Sequence, residues 1–219
     1  MFTTNRLGFF GFIALFLVLH VGLWGGEFVL CPSFFDSLKT PKSKAIFKDY
    51  ERFMNDATQK PLHVKLEMVN FYINSINGSY DEQSYQAEDY WASRGEFLAL
   101  GRGDCEDYVI TKYYTLKDLG VALESMALCV VKEKYTKQDH MVLLLWINPN
   151  EEALILDNLS FKILPQSKRT DLHVEQCMNE NGYFKLTKEG LINPTKSRII
   201  IPAYEKMLQK TKTEMLWKR

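Results

Sequence analysis

The feature that most constrains the fold is a change in hydrophobic periodicity at Gly120. Before Gly120 apolar residues recur at helical spacing, whereas after it they form short runs rich in strand-forming residues. Helices are predicted over residues 44–58, 62–76 and 104–119, and strands over residues 127–131, 140–147, 153–156, 183–186 and 198–201. The Asn148-Pro149-Asn150 segment is typical of a hairpin turn between two of these strands. Helices followed by an antiparallel sheet indicate an α+β fold.

Residues 7–26 form a second distinctive segment, because they contain no Asp, Glu, Lys or Arg. A helix of this length, at about 1.5 Å per residue, covers a hydrocarbon layer of about 30 Å. We predict an N-terminal hydrophobic helix that serves as an uncleaved membrane anchor, with a cleaved signal peptide as the alternative. Lysines between residues 39 and 48 outnumber the single Arg6 before the span, so the charge distribution by itself argues against export. The predicted plan is an anchor or signal segment (1–30), a linker (31–43), the main domain (44–201) and a helical tail (202–219).

The composition narrows the classes of function. The 27 Lys and Arg residues balance 27 Asp and Glu residues, and no long basic stretch occurs, so nucleic-acid binding is not predicted. The cysteines at positions 31, 105, 129 and 177 lack the spacing of a metal-binding motif. Four cysteines in a chain this long do not make a disulfide framework, so any bridge is expected to be optional.

The candidate catalytic residues are Cys105, His140 and Asp157. Cys105 lies in the first turn of a predicted helix, where unpaired backbone N–H groups and the helix dipole stabilise a thiolate. His140 opens one predicted strand and Asp157 closes the next, so antiparallel pairing brings them together. A thiol, an imidazole that shuttles its proton and a carboxylate that orients the imidazole form a catalytic triad. Taken singly, each has an ordinary interpretation, as a buried cysteine, a polar strand edge and a turn aspartate.

Four short motifs surround these residues, namely DYWAS at 89–93, GDCEDY at 103–108, HMVL at 140–143 and LDNL at 156–159. At this spacing they resemble the bacterial transglutaminase-like cysteine proteinases, over about residues 44–201. The resemblance implies a papain/transglutaminase-like fold with Cys105 as nucleophile, His140 as general base and then acid, and Asp157 orienting the histidine. It also implies export to the periplasm, which outweighs the charge distribution.

The resemblance also implies partners. In this family the substrate is a large biofilm adhesin of the cell surface, cut near its N-terminus, and an inner-membrane receptor controlled by cyclic-di-GMP sequesters the protease. We therefore expect a protein substrate, such a receptor, and membrane contact through the N-terminal segment. Two other classes of function stay open: transglutaminase or amidase-type acyl transfer on the same triad, and a non-catalytic, membrane-tethered binding module.

Acidic residues crowd the candidate nucleophile. Asp104, Glu106 and Asp107 would raise the pKa of the Cys105 thiol by like-charge repulsion unless something offsets them. Local helix chemistry is one interpretation, with Asp104 as the N-cap residue and Asp107 completing a capping box.

A calcium site is the other interpretation of these acids. Together with Asp81, and with Asp89 as a further contributor, they offer the oxygen ligands that Ca²⁺ prefers, although the spacing is not that of an EF-hand. The resemblance implies calcium at the matching acids, with Asp104 and Glu106 foremost, and an activity that depends on it.

The oxyanion of the reaction needs a second donor beside the Cys105 backbone N–H. The indole N–H of Trp91 is the candidate, and simple packing of Trp91 beneath the helix is the alternative.

Overall fold

The computed structural model describes residues 26–148, 150–187, 190–192 and 200–218. The predicted hydrophobic helix over residues 7–26 lies outside the described residues, apart from Gly26. Within the described ranges, no helix is both long enough and apolar enough to cross a membrane. Of the strand predicted at 198–201, residues 198 and 199 also lie outside them, and Ile200 and Ile201 do not form a strand.

Most helices precede the large sheet along the chain, as predicted, and one follows it. The helices are α1 (Pro32–Ser37), α2 (Pro41–Thr58), α3 (Leu62–Asn74), α4 (Asp81–Ser84), α5 (Arg94–Leu100), α6 (Cys105–Asp118) and α7 (Pro202–Thr213). The strands are β1 (Asn77–Gly78), β2 (Arg102–Gly103), β3 (Met126–Glu133), β4 (Asp139–Leu145), β5 (Leu154–Asp157), β6 (Ser160–Pro165), β7 (Leu172–Asn179), β8 (Gly182–Thr187) and β9 (Gly190–Ile192). The α+β prediction is confirmed.

Helix α2 begins at Pro41, three residues before the predicted start at Lys44. The side chain of Thr40 accepts a hydrogen bond from the Ser43 backbone N–H at 3.0 Å, and Ser43 Oγ accepts one from the Thr40 N–H at 3.3 Å. Pro41 suits the first helical position, because its fixed φ matches a helix and its missing N–H is not needed there. The cap therefore extends the helix into the segment that the apolar pattern left out.

The sheet has the strand order β6-β5-β4-β3-β7-β8-β9, with antiparallel neighbours. Strands β4 and β5, which the 148–150 turn was predicted to join, are neighbours as expected. Strands β6 and β7 were not predicted. The first half of β7 alternates half-buried and exposed residues, including the exposed His173 and Glu175, so it lacks the continuous apolar run that marks the other strands.

Cys129 on β3 and Cys177 on β7 lie directly opposite each other in the sheet and form a disulfide. Both cysteines are fully buried. The sequence left any bridge optional, because nothing in the residue spacing showed that these two strands would pair.

Helix α6 lies at the centre of the molecule, between the other helices and the sheet. Every residue from Glu106 to Leu116 is buried, and α6 packs on α3 and α5 on one side and on β3 and β4 on the other. Leu128 and Leu143 point toward the helices, whereas Cys129 and Val142 point into a second core cluster. This packing holds the first turn of α6 against the strand that carries His140.

The two ends of the described chain meet on the helical side. Leu30 and Trp217 form an isolated antiparallel bridge, and Cys31 N–H donates to the Leu216 carbonyl at 2.8 Å. Helix α7 buries Tyr204 and Met207 against the core. The segments before α1 and after α7 are therefore integral parts of the packed structure.

Candidate active site

Cys105 is the first residue of α6 and is partly exposed. Asp104 occupies the N-cap position, but its side chain makes no capping hydrogen bond. On the sheet side, the backbone N–H of Met141 donates toward the thiol. Because Met141 follows His140 in β4, the fold brings the nucleophile and the imidazole-bearing strand together.

The surroundings of the thiol oppose its ionisation in the absence of a cation. Burial raises the pKa of the Cys105 thiol far above its ordinary value, and the carboxylates of Glu106 and Asp104 raise it further. The sulfur donates a hydrogen bond to Glu106 Oε2 at 3.2 Å. A cation bound to these acids would offset the repulsion between their charges and the thiolate.

The imidazole of His140 and the carboxylate of Asp157 are in direct contact, at 2.9 Å between Nε2 and Oδ1. His140 is the second residue of β4 and Asp157 the last of β5, so antiparallel pairing places them at the same end of these two neighbouring strands. Burial raises the pKa of Asp157, but the hydrogen bonds from His140 and the Leu159 backbone N–H, together with the ion pair with Arg169, outweigh burial and hold it at about 2. An ionised carboxylate only accepts, so Nε2 carries a proton and Nδ1 is the nitrogen left for the thiol.

Two cations that the sequence reasoning missed lie around Asp157. The guanidinium of Arg169 contacts Oδ2 through Nη1 at 2.8 Å. Lys112, seven residues after Cys105 on α6, is completely buried and its ammonium has no hydrogen-bond partner among the described residues. Burial lowers the pKa of Lys112 to about 7, although the negative charge of Asp157 acts in the opposite direction and raises it. The sequence pattern does not identify either residue as part of the site. Arg169 lies in a polar connection between strands, and Lys112 looks like an ordinary residue of a helix.

The acids predicted as metal ligands gather beside the thiol. Carboxylate oxygens of Asp81, Asp104 and Asp107 lie within 4.8 Å of one another, and so do those of Asp81, Asp89 and Glu106. Asp81 reaches this cluster because β1 and β2 pair in parallel, which joins the segment before α4 to the segment before α6. The structure thus brings together all four predicted ligands and Asp89.

The chemistry of this cluster fits a hard divalent cation. Burial and the neighbouring carboxylates raise the pKa of Asp104 to about 6, that of Asp107 to about 8 and that of Glu106 to about 9. Asp81 Oδ1 and Asp104 Oδ1 are buried without a hydrogen-bond partner. Buried oxygens that lack donors, in a cluster of carboxylates, are the ligands that Ca²⁺ prefers.

Trp91, the candidate oxyanion donor, is almost buried and packs edge-on against Tyr204. Its indole N–H donates to Asp89 Oδ1 at 2.8 Å, so it is engaged by the acidic cluster. Its backbone carbonyl accepts a hydrogen bond from Lys210 on α7 at 3.0 Å. The oxyanion role stays a prediction.

A thiol at a helix start, with an imidazole and a carboxylate on neighbouring strand ends, is the arrangement of transglutaminase-like cysteine proteases. The chain belongs to the bacterial transglutaminase-like cysteine proteinase family, whose model matches residues 42–186. The family prediction is confirmed, and the chain is a transglutaminase-like cysteine protease.

Solved structures of LapG from Legionella pneumophila are similar to this chain. Calcium-bound LapG is 30% identical, with a TM-score of 0.68 over 81% of this chain and 95% of that chain. EGTA-treated LapG is 28% identical, with a TM-score of 0.71 over 85% of this chain and 100% of that chain. A search of curated proteins gives no significant match. The LapG-like, papain/transglutaminase-like α+β fold is therefore confirmed.

Proposed function

We propose that the protein is an exported, calcium-dependent cysteine endopeptidase that uses Cys105, His140 and Asp157 as its triad. The observation that carries the proposal is the 2.9 Å contact between His140 Nε2 and Asp157 Oδ1. It leaves Nδ1 for a thiol that α6 holds beside the same strand. Membership of a cysteine proteinase family supports the same chemistry.

In the proposed mechanism, His140 Nδ1 takes the proton of the Cys105 thiol, and the thiolate attacks the carbonyl carbon of the scissile peptide. The oxyanion accepts hydrogen bonds from the Cys105 backbone N–H, which has no acceptor within the helix, and from a second donor. The Trp91 indole N–H is the candidate for this second donor, and it would have to leave Asp89 Oδ1 to serve. The imidazolium then protonates the leaving amine and the C–N bond breaks. Water, activated by His140, hydrolyses the thioester and restores the thiol.

Calcium would be held by Asp81, Asp104 and Asp107, with Glu106 and Asp89 completing the set. When bound there, it supplies positive charge that offsets the carboxylates around the thiol and favours the thiolate. Glu106 links the two sites, because the carboxylate that accepts the thiol hydrogen bond also belongs to the acidic cluster. The calcium-bound and EGTA-treated LapG structures support calcium as the cation.

The proposed location is the periplasm, at the inner membrane, with residues 7–26 as the anchor or as a cleaved signal peptide. The buried Cys129–Cys177 disulfide supports an oxidising compartment. The proposed substrate is a large surface adhesin cut near its N-terminus, and the proposed regulator is a cyclic-di-GMP-controlled inner-membrane receptor. Both partners come from the family resemblance.

The test uses the full chain in mild detergent, as wild type, Cys105→Ala and Cys31→Ala. Cys31 is the matched control, because it is the other free cysteine of the described chain. Each protein is incubated with recombinant N-terminal segments of biofilm adhesins, in calcium or EGTA, and the products are identified by mass spectrometry. We expect new peptide termini with wild type and Cys31→Ala in calcium, and none with Cys105→Ala or in EGTA.

Other products would point to the other classes of function. Amide crosslinks or released ammonia without new peptide termini would indicate acyl transfer to another acceptor instead of proteolysis. If Cys105 of the folded, calcium-loaded chain does not react with an electrophilic probe, the result would indicate a binding module instead.

A further inference from the structure

Arg169 is anchored on both sides by carboxylates. It lies between β6 and β7, in a turn where its own N–H donates to the Gln166 carbonyl at 3.0 Å. Nη1 contacts Asp157 Oδ2 at 2.8 Å, while Nη2 donates to Asp171 Oδ2 at 2.8 Å and Nε to Asp171 Oδ1 at 3.1 Å. Its side chain is only 11% exposed, so the solvent competes little for these contacts. The guanidinium is thus fixed in orientation as well as in position.

Asp157 is a fully buried carboxylate whose function requires a fixed negative charge. Oδ1 accepts hydrogen bonds from His140 Nε2 and from the Leu159 backbone N–H, both at 2.9 Å. These donors leave Oδ2 to Arg169. Burial disfavours the charged form of a carboxylate, so removal of an ion-pair partner leaves a buried charge uncompensated.

The other charged groups that face Asp157 do not replace Arg169. Lys112 attracts the carboxylate from α6, but its ammonium makes no hydrogen bond within the described residues. Asp171 adds a negative charge on the far side of the guanidinium. Asn74 holds the backbone carbonyl of Asp157, not its carboxylate, at 2.8 Å. Arg169 is therefore the cation in direct contact with Oδ2 in the described chain.

We propose that Arg169 is a positioning residue of the triad: it holds Asp157 ionised and oriented, so that His140 keeps its proton on Nε2 and presents Nδ1 to the thiol. This inference rests on the proposed function, because Asp157 orients a catalytic histidine only if Cys105, His140 and Asp157 form a triad. Asp171 has a supporting role, because it aligns the guanidinium. A lysine at position 169 would keep the charge but lose the fork that spans both carboxylates.

The first measurement reads the histidine directly and needs no substrate. The full chain, labelled with ¹⁵N-histidine, is studied by NMR as wild type, Arg169→Gln and Arg169→Lys, and the His140 signals are assigned by their loss in His140→Ala. Arg52→Gln is the matched control, because the Arg52 side chain is 77% exposed and pairs only with a neighbour on its own helix among the described residues. We expect wild type and the control to show the Nε2–H tautomer, Arg169→Gln a mixture of tautomers, and Arg169→Lys a partial return.

The second measurement is a double-mutant cycle on the rate at which iodoacetamide alkylates Cys105, followed by peptide mass spectrometry at one pH in calcium. Arg169→Gln should slow the reaction at least about tenfold, because a misplaced carboxylate no longer orients the imidazole. In an Asp157→Asn background the same substitution should change the rate less than about twofold, because a residue that acts through Asp157 has nothing left to act on.

An unchanged His140 tautomer in folded Arg169→Gln, or equal effects in both backgrounds, would overturn the proposal. Should Arg169→Gln fail to fold by circular dichroism, Asp171→Asn replaces it, with an intermediate tautomer mixture expected and a wild-type spectrum as the refuting result. The tautomer does not depend on catalysis. A chain that cleaves no protein would therefore refute the proposed function, whereas the role of Arg169 is tested by the His140 spectrum alone.

Discussion

Asp107 is the most deeply buried carboxylate of the acidic cluster, and its replacement by asparagine should stabilise the calcium-free chain and reduce the stabilisation that calcium provides. Asp107 is completely buried, and its Oδ1 accepts a hydrogen bond from the Ala92 N–H at 2.9 Å. An asparagine side chain can accept the same bond through its own carbonyl oxygen. The substitution therefore removes the charge and keeps the shape and the hydrogen bond.

The magnitude follows from the pKa of Asp107. Burial first, and then the carboxylates of Asp104 and Asp81, raise it from an ordinary 3.8 to about 8. Above pH 3.8 the unfolded chain releases a proton that the calcium-free folded chain keeps, so stability falls as the pH rises from about 4 to about 8. At about 1.36 kcal/mol per pH unit, the loss reaches up to about 4 kcal/mol at pH 7. Asp107→Asn does not suffer this loss.

The assay is urea unfolding of the full chain, followed by circular dichroism at pH 4 and pH 7, in EGTA and in excess calcium. In EGTA, we expect Asp107→Asn to match wild type at pH 4 and to exceed it by a few kcal/mol at pH 7. In calcium at 100 times its Kd, wild type should gain about 2.7 kcal/mol, and the variant should gain much less.

The matched control is Asp56→Asn, because Asp56 is an exposed carboxylate on α2 that pairs with Lys60. It should behave as wild type in all conditions. A variant at Asp107 that is less stable than wild type at pH 7 in EGTA, or that keeps the full calcium gain, would refute this account of the cluster.

Three further predictions concern the triad and the core. Asp157→Asn should lower kcat about 10²-fold or more with little loss of secondary structure, because an amide no longer fixes the His140 tautomer; wild-type kcat in a peptide-cleavage assay would contradict this. Lys112→Met should raise the free energy of unfolding by up to about 5 kcal/mol at and below pH 7, because burial lowers the pKa of Lys112 from 10.5 to about 7. The folded chain gives up a proton that the unfolded chain keeps, so wild-type stability rises with pH through this window, and the gap in urea unfolding should close toward pH 10. Replacing Cys129 and Cys177 by serine should cost about 2 to 4 kcal/mol and lower Tm, and an unchanged Tm in a calorimetric scan would show that the bridge contributes nothing.

The main elements of the site followed from short-range patterns in the sequence. A helix starting at Cys105 follows from the apolar spacing of residues 109–116, and β4 and β5 follow from apolar runs joined by turn residues. These signals are local, because the face that a residue shows is fixed by its own helix or strand. They were sufficient to predict that His140 and Asp157 would meet.

Other features depended on contacts between segments far apart in the chain. Strand β7 carries charged and polar residues at alternate positions, so it was missed, and the Cys129–Cys177 bridge was missed with it. Arg169 reaches Asp157 only because the connection after β6 folds back across the end of β5. No spacing rule predicts such a contact, because the free energy that selects it comes from the packed structure as a whole.

The sequence by itself determined the succession of helices followed by a sheet, the family, and the candidate thiol, imidazole and carboxylates of the site. The tertiary structure decided the partners of each group: that Asp157 lies against Arg169 and near a buried Lys112, and that Asp81 joins the acids of α6 through the β1–β2 pairing. The physical reason is that residue type fixes what a side chain can do, whereas its pKa and orientation depend on burial and on charges that only the folded chain brings within a few ångströms.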